Sequence, residues 1–103
     1  MYKAVVRVNL KRKILDPQGK AIESSLHNLG FLKLSGVRTG KMIEFTVEEP
    51  DQEKAMSLIQ AACAKLLSNP VTEDYDFDLI DEAGIAINHF SSARISGFKD
   101  KVN

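Results

Sequence analysis

At 103 residues the chain is long enough for one hydrophobic core and too short for two, since domains commonly run to roughly 100–150 residues. Its 44% hydrophobic and 27% charged side chains are those of a soluble globular protein rather than a disordered or fibrous one. Lys plus Arg and Asp plus Glu number 14 each, so the net charge is zero and there is no general electrostatic pull toward nucleic acid or an anionic membrane.

No apolar run approaches the ~20 residues of a membrane span. The N-terminal Met1-Tyr2-Lys3-Ala4-Val5-Val6-Arg7 leads into a strand pattern with no signal-peptide core, and the expected compartment is the cytoplasm. The single Cys63, within Ala61-Ala62-Cys63-Ala64, excludes an internal disulfide and reads as a small helix hydrophobe, not a nucleophile.

In chain order, Ala4, Val6, Val8 and Leu10 alternate with Val5, Arg7 and Asn9, a strand period of two. The basic Lys11-Arg12-Lys13 connector follows and reads as a solvated run. Asp16 and Pro17 then open a helix, the first as a side-chain cap and the second with its φ already suited and no N–H to lose. Ile22, Leu26 and Leu29 recur at helical spacing until Gly30 closes it. Phe31–Thr39 and Met42–Glu48 are expected as a hairpin about Gly40-Lys41, with Ile43, Phe45 and Val47 on the inner face of its second strand. Pro50-Asp51-Gln52-Glu53 opens a second helix carrying Ala55, Leu58, Ile59, Ala62 and Leu66, which Asn69-Pro70 ends. Asp74-Tyr75-Asp76-Phe77-Asp78-Leu79 alternates carboxylates with large apolar side chains, the clearest strand of all.

The expected fold class is α+β: a β-α-β-β-α-β two-layer sandwich, a four-stranded antiparallel sheet with both helices on one face. Residues 1–80 form its domain. Residues 81–103 are a C-terminal extension, either an extra strand through Ile85, Ile87 and His89 or a mobile tail. The open sheet face carries Val5, Arg7, Asn9, Met42, Glu44, Thr46, Asp74, Asp76 and Asp78, a mixed surface suited to self-association.

Chemistry-bearing motifs are few. Carboxylates alternating along a strand stand about 6.6–6.8 Å apart, too spread to wrap one cation, and a solvated or salt-bridged row is favoured, with Arg7 facing it if the first and last strands are neighbours. His27 and His89 have no local partners that make a metal motif or triad, and the serine pairs Ser24-Ser25 and Ser91-Ser92 lack a nucleophile elbow. Gly36-Val37-Arg38-Thr39-Gly40-Lys41 lacks the spacing of a phosphate loop and reads as a twisted hairpin. Tyr75, Phe77 and Phe45 fall on inner faces, which leaves no stacking platform for RNA.

Taken together, Leu15-Asp16-Pro17-Gln18-Gly19-Lys20-Ala21, Leu26-His27-Asn28-Leu29-Gly30-Phe31, Val37-Arg38-Thr39-Gly40-Lys41 and Leu67-Ser68-Asn69-Pro70-Val71-Thr72-Glu73-Asp74-Tyr75 resemble the PurS family, the small subunits of phosphoribosylformylglycinamidine (FGAM) synthase. The resemblance spans residues 1–80. It implies an accessory subunit of a purine-biosynthetic ligase complex that converts formylglycinamide ribonucleotide (FGAR), ATP and glutamine into FGAM. A synthetase subunit holding ATP and Mg activates the amide, a glutaminase subunit releases ammonia, and this subunit, a homodimer or tetramer, brings them together without cofactor or catalytic residues of its own. Asp16, Pro17, Gln18, Gly19, Arg38, Gly40, Lys41, Asn69, Pro70, Glu73, Asp74 and Tyr75 carry over as signature or partner-interface positions, each either a turn former or a contact. The alternative is an ACT-like small-molecule-binding regulatory domain, which shares the expected element order and binds amino acids near the first helix entrance. Gln18 and Lys20 beside Gly19 fit that mode poorly.

Overall fold

Alternation along β1 (Tyr2–Leu10) sends Ala4, Val6 and Val8 to one side, where each is at most 1% exposed. A computed structural model describes residues 1–93. It continues with α1 (Pro17–Asn28), β2 (Gly40–Val47), α2 (Gln52–Ala62) extended by a π-helical turn (Cys63–Leu67), β3 (Glu73–Ile80) and β4 (Ala86–Ser91). The strands form one antiparallel sheet in the order β2-β1-β3-β4. The register sets Val6 between Ile43 and Phe77, and Phe90 opposite Phe77.

This topology decides which helix covers the sheet. β2 and β3 flank β1, and each runs antiparallel to it, so they are parallel to one another and their connection must cross the sheet over β1. α2 is that crossover. Its Ala55, Met56, Ile59 and Cys63 close the core on Ala4, Val6, Val8, Val47, Phe77 and Leu79. The β1–β2 connection, in contrast, leaves and returns at the same end of the sheet, where Asn9 lies opposite Gly40. α1 has no need to cross, and it projects as an arm.

Residues after α1 run back along it. Phe31 N–H donates to Leu26 O at 2.9 Å, Val37 N–H to Glu23 Oε1 at 3.1 Å, and His27 Nε2 lies 2.6 Å from Leu34 O. The molecule measures 49 × 28 × 28 Å with a radius of gyration of 16.2 Å, against roughly 13 Å for a compact domain of 100 residues.

The α+β class, the four-stranded antiparallel sheet and the two helices agree with the sequence reading. The element order differs. Phe31–Thr39 forms no strand, because β1 already pairs with β2 and β3 and the segment bonds instead to α1 and to Asp16. The fourth strand is Ala86–Ser91, from the expected extension, whose residues 94–103 lie outside the described residues. The apolar stripe of α1 also stays outside the core: Ile22 is 39% and Leu29 74% exposed. Leu66 is 82% exposed: it lies within the π-helical turn, closed by Ser68 N–H to Cys63 O at 2.9 Å, whose inward-facing positions are Cys63 and Leu67 instead. Cys63 is fully buried, and desolvation pushes its thiol pKa up to about 11, which removes thiolate chemistry.

Candidate functional site

The end of the sheet where the arm leaves and returns gathers residues from distant parts of the sequence. Asp16 caps α1 by accepting from Gly19 N–H at 3.1 Å. Its second oxygen accepts from Thr39 N–H at 2.6 Å and from the Thr39 hydroxyl at 2.8 Å. One carboxylate thus fixes both the departure of the arm and its return. The hydrogen bonds from Thr39 and Gly19, aided by the charge of Arg38, outweigh desolvation and hold the Asp16 carboxyl below its usual pKa.

Two glycines let this junction close. A Cβ on Gly19 would strike Val37 O and come within 3.1 Å of Arg38 Cα, and one on Gly40 would strike the Asn9 amide and lie 2.7 Å from Val8 O. Arg38 completes the clasp by donating to Leu10 O at 3.3 Å and Lys11 O at 3.0 Å. Asn9 Nδ2 donates to Thr39 O at 3.2 Å.

Beside this junction lies an open cleft of about 400 Å³. Val8, Leu10 and Pro17 supply its apolar lining, and Asp16, Gln18, Thr39, Gly40, Lys41 and Glu73 its polar part. Asp16 is saturated by three donors, and Glu73 Oε1 accepts from Asn69 N–H at 2.7 Å. Among the described residues, Gln18 makes only a 3.5 Å approach to the Thr39 hydroxyl, and Lys41 makes no ion pair. The cleft therefore presents an amide, an ammonium and apolar surface, groups suited to recognition.

Of the signature positions, Asp16, Pro17, Gln18, Gly40, Lys41 and Glu73 line this cleft, while Gly19 and Arg38 clasp the junction next to it. Asn69 and Pro70 shape the turn into β3: Asn69 Oδ1 accepts from Val71 N–H at 3.0 Å, and Asn69 O from Glu73 N–H at 2.7 Å. Asp74 pairs with Lys11 Nζ at 2.8 Å. Tyr75 lies apart on the inner face, its ring centroid 5.8 Å from Phe90 and 6.5 Å from Phe77, and burial raises its phenol pKa, with a smaller push from Cys63. Thr39, the residue that closes the junction, was missed by the sequence reading; its hydroxyl inside Val37-Arg38-Thr39-Gly40-Lys41 was the available signal.

On the open face the carboxylate row is spent on cations. Arg7 bridges Asp76 at 2.6 Å and Asp78 at 3.0 Å, and His89 Nδ1 lies 2.7 Å from Asp78. Burial opposes the Asp78 charge, yet the hydrogen bonds and charges of His89 and Arg7 prevail and keep its carboxyl below the usual range.

The family model described as "PurS: Phosphoribosylformylglycinamidine (FGAM) synthase" matches residues 3–81. The chain belongs to the PurS family. The FGAM synthase subunit PurS of Bacillus subtilis is 42% identical over 79 residues, 77% of this chain and 93% of that protein. The crystal structure of Methanocaldococcus jannaschii PurS, described as a subunit of formylglycinamide ribonucleotide amidotransferase in purine biosynthesis, covers 85% of this chain and 100% of its own at 38% identity and a TM-score of 0.71. A chain in the structure of PurLQS from Thermotoga maritima matches at 34% identity and a TM-score of 0.72, covering 77% of this chain and 96% of that one. The ACT-like alternative finds no support in these likenesses.

Proposed function

We propose that this chain is the assembly and ammonia-coupling subunit of the FGAM synthase complex, joining a synthetase subunit to a glutaminase subunit so that ammonia from glutamine meets the ATP-activated amide of FGAR. The observation that carries this reading is the likeness to a chain of the Thermotoga maritima PurLQS structure over 96% of that chain. Docking has catalytic value here, because ammonia released near its acceptor reacts before water and protons take it. In this reading ATP and Mg belong to the synthetase, this chain holds no cofactor, and the complex works in the cytoplasm. Among the described residues no helix is long and apolar enough to cross a membrane.

The chain acts as a homodimer or tetramer. The arm supports this, since Ile22, Leu29, Phe31, Leu32 and Leu34 stand exposed on one projecting element, and Met42 adds an apolar side chain on the open sheet face. Gln18 and Lys41 in the cleft are the side chains offered to the partner subunits. Co-purification tests the assembly role: a tagged chain is expected to retain synthetase and glutaminase together, and Lys41→Glu to weaken that retention without lowering Tm. Retention of neither subunit contradicts the proposal.

A further inference from the structure

β4 (Ala86–Ser91) lies beyond the family match, which ends at residue 81, yet its side chains suit the strand it joins. The outer edge of β3 has two chemically different sides. Tyr75 and Phe77 face inward, while Asp76 and Asp78 face the open side. β4 answers both: Phe90 lies opposite Phe77, His89 opposite Asp78, and Ser91 opposite Asp76. The Phe90 ring centroid is 5.6 Å from that of Phe77, and His89 Nδ1 is 2.7 Å from Asp78 Oδ1. Just past the strand, Ser92 N–H donates to Tyr75 O at 2.8 Å, and its hydroxyl accepts from Tyr75 N–H at 2.9 Å.

A second β3 edge is a poor substitute. Antiparallel self-pairing about Asp76 or Phe77 sets the carboxylates of one copy against those of the other, and like charges directly opposite are destabilising. The attachment of β4 is also local. Ala86, Ile87, Asn88 and His89 are exposed, the register slips between Leu79 and Ile80, and Phe90 is the β4 side chain packed on the core.

We propose that the outer edge of β3 is a strand-acceptor site for an extended peptide that alternates an aromatic side chain with cationic or hydroxyl-bearing ones, and that residues 86–92 are its resident, displaceable ligand. Main-chain pairing gives such a site affinity, and the alternate side chains give it selectivity. Phe90 is the aromatic anchor, His89 reaches Asp78, and Ser91 stands at the register position opposite Asp76.

Hydrogen exchange on the unmodified chain tests the displaceable character. Amides of β4 are expected to exchange at least ~10-fold faster than those of β1, through local opening that leaves the core intact; equal rates overturn the proposal. Selectivity is tested with the full chain carrying His89→Glu and Phe90→Ala, and with Phe90→Ala alone should the pair not fold. A fluorescent peptide of residues 84–92 is expected to bind the altered chain at least ~10-fold more tightly than the unmodified chain, whose site is occupied. The same peptide with His89→Glu should bind neither. Failure of the altered chain to take up the peptide, or equal uptake of the Glu-bearing peptide, refutes the site.

Discussion

Asp16 and Thr39, separated by 23 positions, share one carboxylate oxygen: Oδ2 of Asp16 accepts from both the backbone N–H and the hydroxyl of Thr39, at 2.6 and 2.8 Å. The other oxygen caps α1. A residue that reads in the sequence as a helix cap is also the clasp at the base of the arm. Because the folded pKa of Asp16 lies below its ordinary 3.8, its stabilisation is fully present above that value and is lost as pH falls through the folded pKa. Asp16→Asn and Thr39→Val are each expected to lower Tm by several degrees at pH 7. Asp16→Asn should further flatten the dependence of Tm on pH below 4, which thermal melts across that range would reveal.

Phe77→Ala is expected to cost about 3–5 kcal/mol, as truncations of fully buried aromatics do. Phe77 has no exposed surface and holds β1, α2 and β4 together. Leu66→Ser, on the exposed side of the π-helical turn, should stay within ~0.5 kcal/mol of the unmodified chain. Urea unfolding of both variants checks the pair, and a large loss from Leu66→Ser would contradict the orientation of that turn.

The arm carries the expectation for self-association. Leu29→Ser with Phe31→Ser is expected to leave far-UV circular dichroism unchanged, since neither side chain belongs to the core, and to reduce the mass measured by light scattering to that of a monomer. A parent chain that is itself monomeric at micromolar concentration would remove the basis of this prediction.

Local signals account for much of this fold. Alternation announced β1, the later part of β2, and β3, and the cap and proline at Asp16-Pro17 placed the start of α1 at Pro17. The acidic row facing Arg7 was legible too, because it follows from β1 and β3 being neighbours. What local pattern does not encode is pairing. Phe31–Thr39 has strand-like residues, yet it runs back along α1, held by Glu23 and His27 whose roles depend on the arm itself. For the same reason Ile22 and Leu29 read as core residues. Helical spacing says which side chains share a face; only the antiparallel β1–β2 pairing shows that this face never reaches the sheet. Asp16, Pro17, Gln18, Gly40, Lys41 and Glu73 were legible as signature positions and not as a place, since Asp16, Lys41 and Glu73 meet only through the register of three strands.

The coupling role is tested most directly by FGAM formation from synthetase and glutaminase, measured with and without this chain, and with either glutamine or free ammonium as nitrogen source. The account predicts that the chain raises the glutamine-dependent rate far more than the ammonium-dependent one, because free ammonium bypasses the docking of the two subunits, and that the chain alone neither hydrolyses ATP nor releases ammonia from glutamine. Equal glutamine-dependent rates with and without the chain would contradict it.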